Sequence, residues 1–383
     1  MTQCQWTGKS VTKIQDHDPL FCPCTLLSIA CLTAKAQERV FNNFLDTTVS
    51  PNKEIYQLWN NYFKARKADA SPFWRADEEE KFRSYDLLKS WGCGGTYSEI
   101  SHVLKIMQID SNTFELKVGM GFADSNSASI LSVLKFIVKK EDNIYRLSNY
   151  LLYKTRDWKS YSTEWLNFHY PPDYTFDAGD ARKSELFLEK MYQLFDIKPY
   201  HIEFYVATGL SEIQEAAGYE SFIDDGIRNI GGCYDGYNNI VFSGNGIYYP
   251  HELVHVINDA FPKSHSLFLC GISGLLGGHF GKPLSYHQKR LQVYLKNNRD
   301  KIVSLTDFYY MDTYTNPQYL VGGLFCEEAI RIGGYDKLKK LMSYGTGDED
   351  FYTAIKNEFG IEKEQLINYF FRKMGDDKLF ANY

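Results

Sequence analysis

Clusters of basic residues are missing from this sequence. Its 42 lysines and arginines are scattered among 48 acidic residues, and the formal net charge is −6. A nucleic-acid-binding surface needs a concentrated basic stripe to displace counterions from phosphates. The sequence therefore predicts no nucleic-acid partner.

Long apolar runs and closely spaced cysteine pairs are also scarce. After residue 36, no segment reaches the roughly 18 apolar residues that a membrane span needs. The cysteines in that part of the chain form no Cys-x-x-Cys pair, so a structural zinc ribbon is not expected; they are Cys93, Cys233, Cys270 and Cys326. We predict a mature chain without a membrane span.

The first 36 residues resemble an export signal. A largely apolar stretch over residues 20–33 is followed by Ala34-Lys35-Ala36, which has the small-x-small pattern read by signal peptidase. We therefore predict a signal peptide over residues 1–36, a mature chain that begins at Gln37, and a periplasmic or secreted protein. The alternative is a lipoprotein that is anchored at the outer surface through Cys31.

The period of the apolar residues predicts an N-terminal α+β module over residues 37–172. Residues 38–70 carry apolar side chains at helical spacing. Residues 114–118, 130–138 and 143–153 have strand patterns instead, and turns separate them. A helix followed by an antiparallel meander is an α+β arrangement, and its outline resembles the NTF2-like group.

Residues 173–383 are predicted to form a second, mainly helical domain with a small sheet. Short strands are expected at residues 201–207 and 238–243, and helices at residues 181–195, 320–332, 336–342, 349–359 and 363–374. The fold class predicted for the whole chain is therefore α+β.

The strongest chemical signal is the pentapeptide His251-Glu252-Leu253-Val254-His255. Pro250 suits the first turn of a helix, and Pro262 would end it. Histidines four residues apart lie one turn apart on the same helix face, so both can bind one metal ion. We predict a zinc ion held by His251 and His255.

Glu252 is the predicted general base of this site. It is offset by about 100° from His251 around the helix and can hold a water molecule beside the metal. Zinc with three protein ligands keeps a water in the fourth position and lowers its pKa to about 7. The carboxylate then takes the proton as the water attacks a carbonyl group.

The third ligand distinguishes the peptidases that use this pentapeptide. A metzincin needs a histidine six residues after His255, where this sequence has Phe261. Residues 265–278 instead resemble the segment of peptidase-MA-like gluzincins in which a hydrophobic stretch leads into Glu-Gly-x-Ala and ends at Gly-Gly. Gly322-Gly323-Leu324-Phe325 resembles the start of a later helix of that family. The resemblance implies a gluzincin-like metallopeptidase domain over residues 173–383.

Cys270 stands where the family has its third zinc ligand, a glutamate. Since a thiolate is a good zinc ligand, Cys270 is the predicted third ligand. One alternative is that Glu327 or Glu328 reaches the metal from a later helix. Another is a degenerate site that binds metal weakly or not at all.

The predicted function is that of an exported zinc-dependent metallopeptidase that acts on a peptide or protein. The alternative is a retired peptidase fold that serves as a binding or structural module. Asp259 is a candidate partner for a zinc-binding histidine. Candidate oxyanion donors follow the motif, namely Tyr309, Tyr310, Tyr314, Tyr319 and His287.

Overall fold

A computed structural model describes residues 45–65, 71–82, 87, 99–123, 127–222 and 231–381. The predicted signal peptide lies outside these residues. In the ranges described, no helix combines the length and apolar content needed to cross a membrane.

Two sheets organise the described chain. The first is antiparallel and contains, in spatial order, β1 (Ile100–Gln108), β2 (Thr113–Ala123), β3 (Ala128–Glu141) and β4 (Ile144–Asn149), with β8 (Tyr219–Phe222) paired to β3. The second is mixed and has the order β5 (Lys159–Ser162), β6 (Leu166–Tyr170), β7 (Ile202–Val206), β10 (Ile240–Ser243) and β9 (Gly232–Asp235).

Helices cover both sheets and make up most of the C-terminal half. Those of the first half are α1 (Asn52–Ala65), α2 (Asp77–Lys81), α3 (Tyr150–Lys154) and α4 (Ala178–Leu194). Those that follow are α5 (Leu210–Ala217), α6 (Pro250–Val254), α7 (Val256–Ala260), α8 (Ser266–Gly277), α9 (Leu284–Asn298), α10 (Pro317–Leu341), α11 (Asp348–Phe359) and α12 (Leu366–Met374).

The α+β class predicted from the sequence is confirmed. The predicted strands at residues 114–118 and 130–138 lie inside β2 and β3. The strand predicted at residues 143–153 is only half right, because the chain turns into α3 after Asn149. The apolar residues of α3 pack on a helix and a strand at once, so period alone did not separate the two elements.

Strand pairing crosses the boundary predicted at residue 172. Strands β5 and β6 precede that position, yet β6 pairs with β7 in the second sheet. Strand β8 follows it, yet pairs with β3 in the first sheet. Each sheet therefore contains strands from both sides of residue 172.

Each sheet has its own aromatic core. Helix α1 places Ile55, Trp59 and Tyr62 at helical spacing over the first sheet, where the Trp59 ring lies 5.0 Å from that of Phe136. The second core lies between the second sheet and the C-terminal helices. Apolar side chains that recur at helical or strand spacing lie on one face of each element, and burial of these faces stabilises both cores.

Helices α8 and α10 cross in backbone contact, and glycine makes this possible. A Cβ atom added at Gly322 would lie 1.6 Å from the Leu267 carbonyl oxygen, and one added at Gly271 would lie 2.1 Å from the carbonyl carbon of Gly322. Any larger side chain would force the helices apart. This crossing positions α8, which follows the pentapeptide 251–255.

We expect Gly322→Ala to destabilise the protein by about 1–3 kcal/mol or more, because the added methyl group has no space at the crossing. The midpoint of urea unfolding measures this loss. Gly119→Ala in β2 is the matched control, since its Cβ would meet atoms no closer than 3.5 Å. Equal midpoints for the two variants would contradict the packing described.

Candidate metal centre

The pentapeptide lies on a helical segment that is broken at its last histidine. Helix α6 ends at Val254 and α7 begins at Val256, so the single helix predicted between Pro250 and Pro262 is wrong. His255 has ψ near −7°, and its N–H bonds Glu252 three residues back. The prediction that both histidines share one face holds nonetheless, because their ring centroids lie 5.2 Å apart.

His251 is fixed by the segment that follows α8. Its Nδ1–H group donates a hydrogen bond to the carbonyl oxygen of Gly278. The Nε2 atom then carries the lone pair of the ring that can bind a metal ion. Gly277 allows this approach, since a Cβ there would lie 2.5 Å from the His251 Cα. His251 itself is only 4% exposed.

His255 is the most buried member of the site. Burial, and then the charge of neighbouring His251, lower the pKa of His255 well below its usual value, so the ring is neutral. Its Nδ1 atom lies 3.3 Å from the side-chain amide of Asn258. Within the described chain its Nε2 atom is buried and has no hydrogen-bond partner.

The partner beside His255 is Asn258 and not the predicted Asp259. The carboxylate of Asp259 accepts a hydrogen bond from the hydroxyl of Tyr234 at 3.1 Å. A residue one position along a helix points about 100° away. The side chain beside the His255 Nδ1 atom is therefore that of Asn258, while Asp259 bonds Tyr234.

Glu252 is oriented by the tyrosine that precedes the motif. Tyr249 donates its hydroxyl to the carboxylate, and burial, followed by the charge of Glu252, raises the pKa of Tyr249 well above 10. Among described residues, none bonds the Oε2 atom of Glu252, which is also buried. One oxygen is thus held in place and the other is available for a ligand.

The paired histidines fit a zinc ion. Two imidazoles on one tetrahedral zinc have ring centroids about 5 Å apart, because each Zn–N bond is about 2 Å long and the ring centre lies about 1 Å behind the nitrogen. The observed spacing of 5.2 Å agrees. The unpartnered Nε2 of His255 and Oε2 of Glu252 are the atoms that a metal ion and its water would need.

Cys270 does not provide the thiolate that the sequence predicted. The residue is buried and its sulfur is part of a disulfide bond. It also lies seven residues before Gly277, where α8 meets His251, and this spacing corresponds to about 10 Å along a helix. A disulfide sulfur carries no negative charge and is a poor zinc ligand.

The alternative ligands Glu327 and Glu328 are engaged elsewhere. The two carboxylate oxygens of the buried Glu328 form ion pairs with Arg331 and Lys373. Burial, and then the nearby Glu328, raise the pKa of Glu327, while Arg331 opposes this. In the described chain, neither acid bonds a residue of the pentapeptide 251–255.

One acidic group in the described ranges already has ligand atoms within 4.8 Å of one another, namely Glu164, Glu185 and Glu189. Glu185 uses its oxygens to accept hydrogen bonds from the Thr163 hydroxyl and the Trp165 N–H. The group therefore ties the start of β6 to α4. It does not include a residue of the pentapeptide 251–255.

Sequence reasoning missed His279 and Tyr249 as neighbours of the motif. The ring of His279 lies 5.9 Å from that of His251 and stacks on Tyr319 at 4.1 Å. Of the predicted oxyanion donors, Tyr319 is therefore beside the site, and His287 contacts His279 at 5.1 Å. The other three candidates are at least half exposed, namely Tyr309, Tyr310 and Tyr314.

No protein-family model and no curated protein matches this sequence significantly. Among solved structures, the chain is similar to a variant of an M1 zinc metallopeptidase from Deinococcus radiodurans, with a TM-score of 0.32 and 11% sequence identity. The alignment covers 68% of this chain and 61% of that one, so this chain matches about three fifths of the length of the peptidase.

We expect Cys270→Ala to lower stability by about 2–4 kcal/mol, because the disulfide no longer restricts the unfolded chain, and to leave zinc content unchanged. Thermal unfolding with and without a reductant, together with metal analysis, tests this. Cys326→Ala removes a buried free thiol and is the control. Loss of zinc from Cys270→Ala at unchanged stability would restore the thiolate ligand.

Proposed function

We propose that this chain is an exported zinc-dependent metallopeptidase whose site is built on His251, Glu252 and His255. One observation carries the proposal: a pair of buried histidines at metal-binding spacing adjoins a buried carboxylate oxygen that has no hydrogen-bond partner in the described chain. The resemblance of residues 265–278 to gluzincins supports the same reaction class.

The residues of the chain would divide the work as follows. His251 and His255 would hold the ion through their Nε2 atoms: Nδ1 of His251 bonds the Gly278 carbonyl, and Nε2 of His255 is buried without a hydrogen-bond partner in the described chain. When bound, zinc acts as a Lewis acid and lowers the pKa of a water molecule. Glu252 accepts the proton through its unbonded oxygen and passes it to the leaving amine, while Tyr249 keeps the carboxylate in position.

A retired site is the second candidate, and burial favours it. His251, Glu252 and His255 are 4%, 2% and 1% exposed, whereas a hydrolase must admit both water and substrate. A zinc ion held there without a route for substrate would stabilise the fold only. The two candidates differ in whether Glu252 matters for turnover.

We expect the wild type to bind one zinc ion per chain and to cleave peptides. We expect Glu252→Gln to keep the zinc but to lose at least about 100-fold in the rate of peptide cleavage, because it lacks the general base. Metal analysis and mass spectrometry of a peptide mixture after incubation provide both readouts. Glu349→Gln is the control, because Glu349 lies on the surface in an ion pair with Lys363.

His251→Ala and His255→Ala should both lose the metal. Zinc-loaded wild type that cleaves no peptide would support the retired site. Equal rates for the wild type and Glu252→Gln would exclude Glu252 as the base.

Export also belongs to the proposal. The disulfide at Cys270 supports it, because disulfides persist in oxidising compartments and are rare in the cytosol. We expect the full-length chain, expressed in its own host, to be recovered outside the cytoplasm with Gln37 at its N-terminus. N-terminal sequencing measures this, and Ala36→Asp should block cleavage. An intact N-terminus on cytoplasmic protein would contradict export.

A further inference from the structure

We propose that His279 supplies the third protein ligand of the zinc site, in place of the glutamate that the sequence lacks. This inference rests on the proposed function, because it assumes that His251 and His255 bind zinc. It assigns a residue that neither the motif nor the family resemblance indicates. Three observations support it: the course of the chain after α8, the distances between the rings, and the contacts that hold His279.

The chain after α8 is shaped to bring His279 to His251. Gly277 admits the backbone of His251, and Gly278 has φ of 74° with no space for a side chain, since a Cβ would lie 2.6 Å from the Lys282 carbonyl oxygen. The carbonyl of Gly278 binds the His251 ring. The next residue is therefore held directly beside that ring.

A tight turn then reverses the chain. The N–H of His279 bonds the carbonyl of Lys282 at 2.8 Å, and the reverse bond is 3.0 Å long. The two central residues have positive φ, 48° for Phe280 and 66° for Gly281. A bulky residue rarely adopts this conformation, and strain of about 1–3 kcal/mol is typical of sites where geometry serves function.

The two ring distances from His251 are close to those of a three-histidine site. His251 lies 5.2 Å from His255 and 5.9 Å from His279, against about 5 Å for two imidazoles on one zinc ion. The ring nitrogens of these three histidines do not all lie within 4.8 Å of one another. Coordination therefore requires the three ligand atoms to move closer together.

His279 is held on both sides. Its ring is 7% exposed and stacks on Tyr319 at an angle of 27°. His287 donates through Nε2 to the carbonyl oxygen of His279 at 2.9 Å, and its own Nδ1 lies 3.2 Å from the Thr315 hydroxyl. The His287 bond fixes the backbone of His279, and the stacking on Tyr319 fixes the plane of its ring.

Three histidines are an established ligand set for catalytic zinc. Neutral imidazoles leave the full positive charge on the ion, whereas a carboxylate would offset part of it. The replacement of a glutamate by a histidine from a different position is therefore compatible with the proposed hydrolysis.

X-ray absorption of the zinc-loaded full chain tests the inference directly, since multiple scattering counts the imidazoles on the metal. We expect three in the wild type and two in His279→Asn. We also expect the zinc Kd, measured by competition with a chromophoric chelator, to rise at least 100-fold in His279→Asn and His279→Ala. His265→Ala, which removes a buried histidine that caps α8, should leave both readouts unchanged.

Two imidazoles in the wild type would overturn the inference even if the variants fail to fold. A wild-type Kd in both His279 variants would overturn it as well, while the proposed function would stand. Absence of zinc in the wild type would overturn both. If His279 is needed for zinc but Glu252→Gln leaves hydrolysis unchanged, the ligand stands and the proposed function falls.

Discussion

The hydrogen bond from His251 to the carbonyl of Gly278 joins the two segments from which the candidate site is built. It requires the end of α8 to touch the start of α6, and Gly277 permits that contact. The position of α8 in turn depends on its crossing with α10, where Gly322 leaves no space for a methyl group. Two adjacent glycines, Gly277 and Gly278, together with the distant Gly322, thus fix one histidine ring.

The buried polar atoms of the candidate site have a cost in folding free energy. A buried polar atom that lacks a hydrogen bond costs about 1–3 kcal/mol, and this cost is large beside a total stability of about 5–15 kcal/mol. His255 and Glu252 each contain such an atom in the described chain, and both belong to one pentapeptide. Structural zinc contributes about 10–16 kcal/mol on binding, so an ion at this position would more than offset the cost.

The sequence predicted the fold class, five of the ten strands of the described chain in whole or in part, and the placement of His251 and His255 on one helix face, because each depends on local spacing. Alternation at residues 114–118 and the four-residue step from His251 to His255 are properties of single elements. It did not predict the break at His255 or the pairing of β8 with β3. Both are set by tertiary packing, and no period in the sequence records which sheet a short strand will join.

The third ligand shows the same division between local and tertiary information. Alignment to a family pattern places Cys270 at the ligand position, but a position in the sequence does not establish proximity to His251 and His255 in the fold. His279 lies beyond the end of α8 and reaches His251 only because the chain turns back there. The pair Gly277-Gly278 was the available signal, since adjacent glycines mark a close approach of backbone.

Two predictions from this sequence conflict with each other, namely export of the protein and a thiolate ligand at Cys270. An oxidising compartment favours disulfides, and a cysteine in a disulfide has no thiolate to offer a metal. The disulfide at Cys270 follows the first of these expectations and removes the second. A histidine can bind zinc in an oxidising compartment, because the lone pair of its ring does not depend on redox state. In a protein outside the cytosol, an imidazole at this position is therefore the chemically more robust zinc ligand.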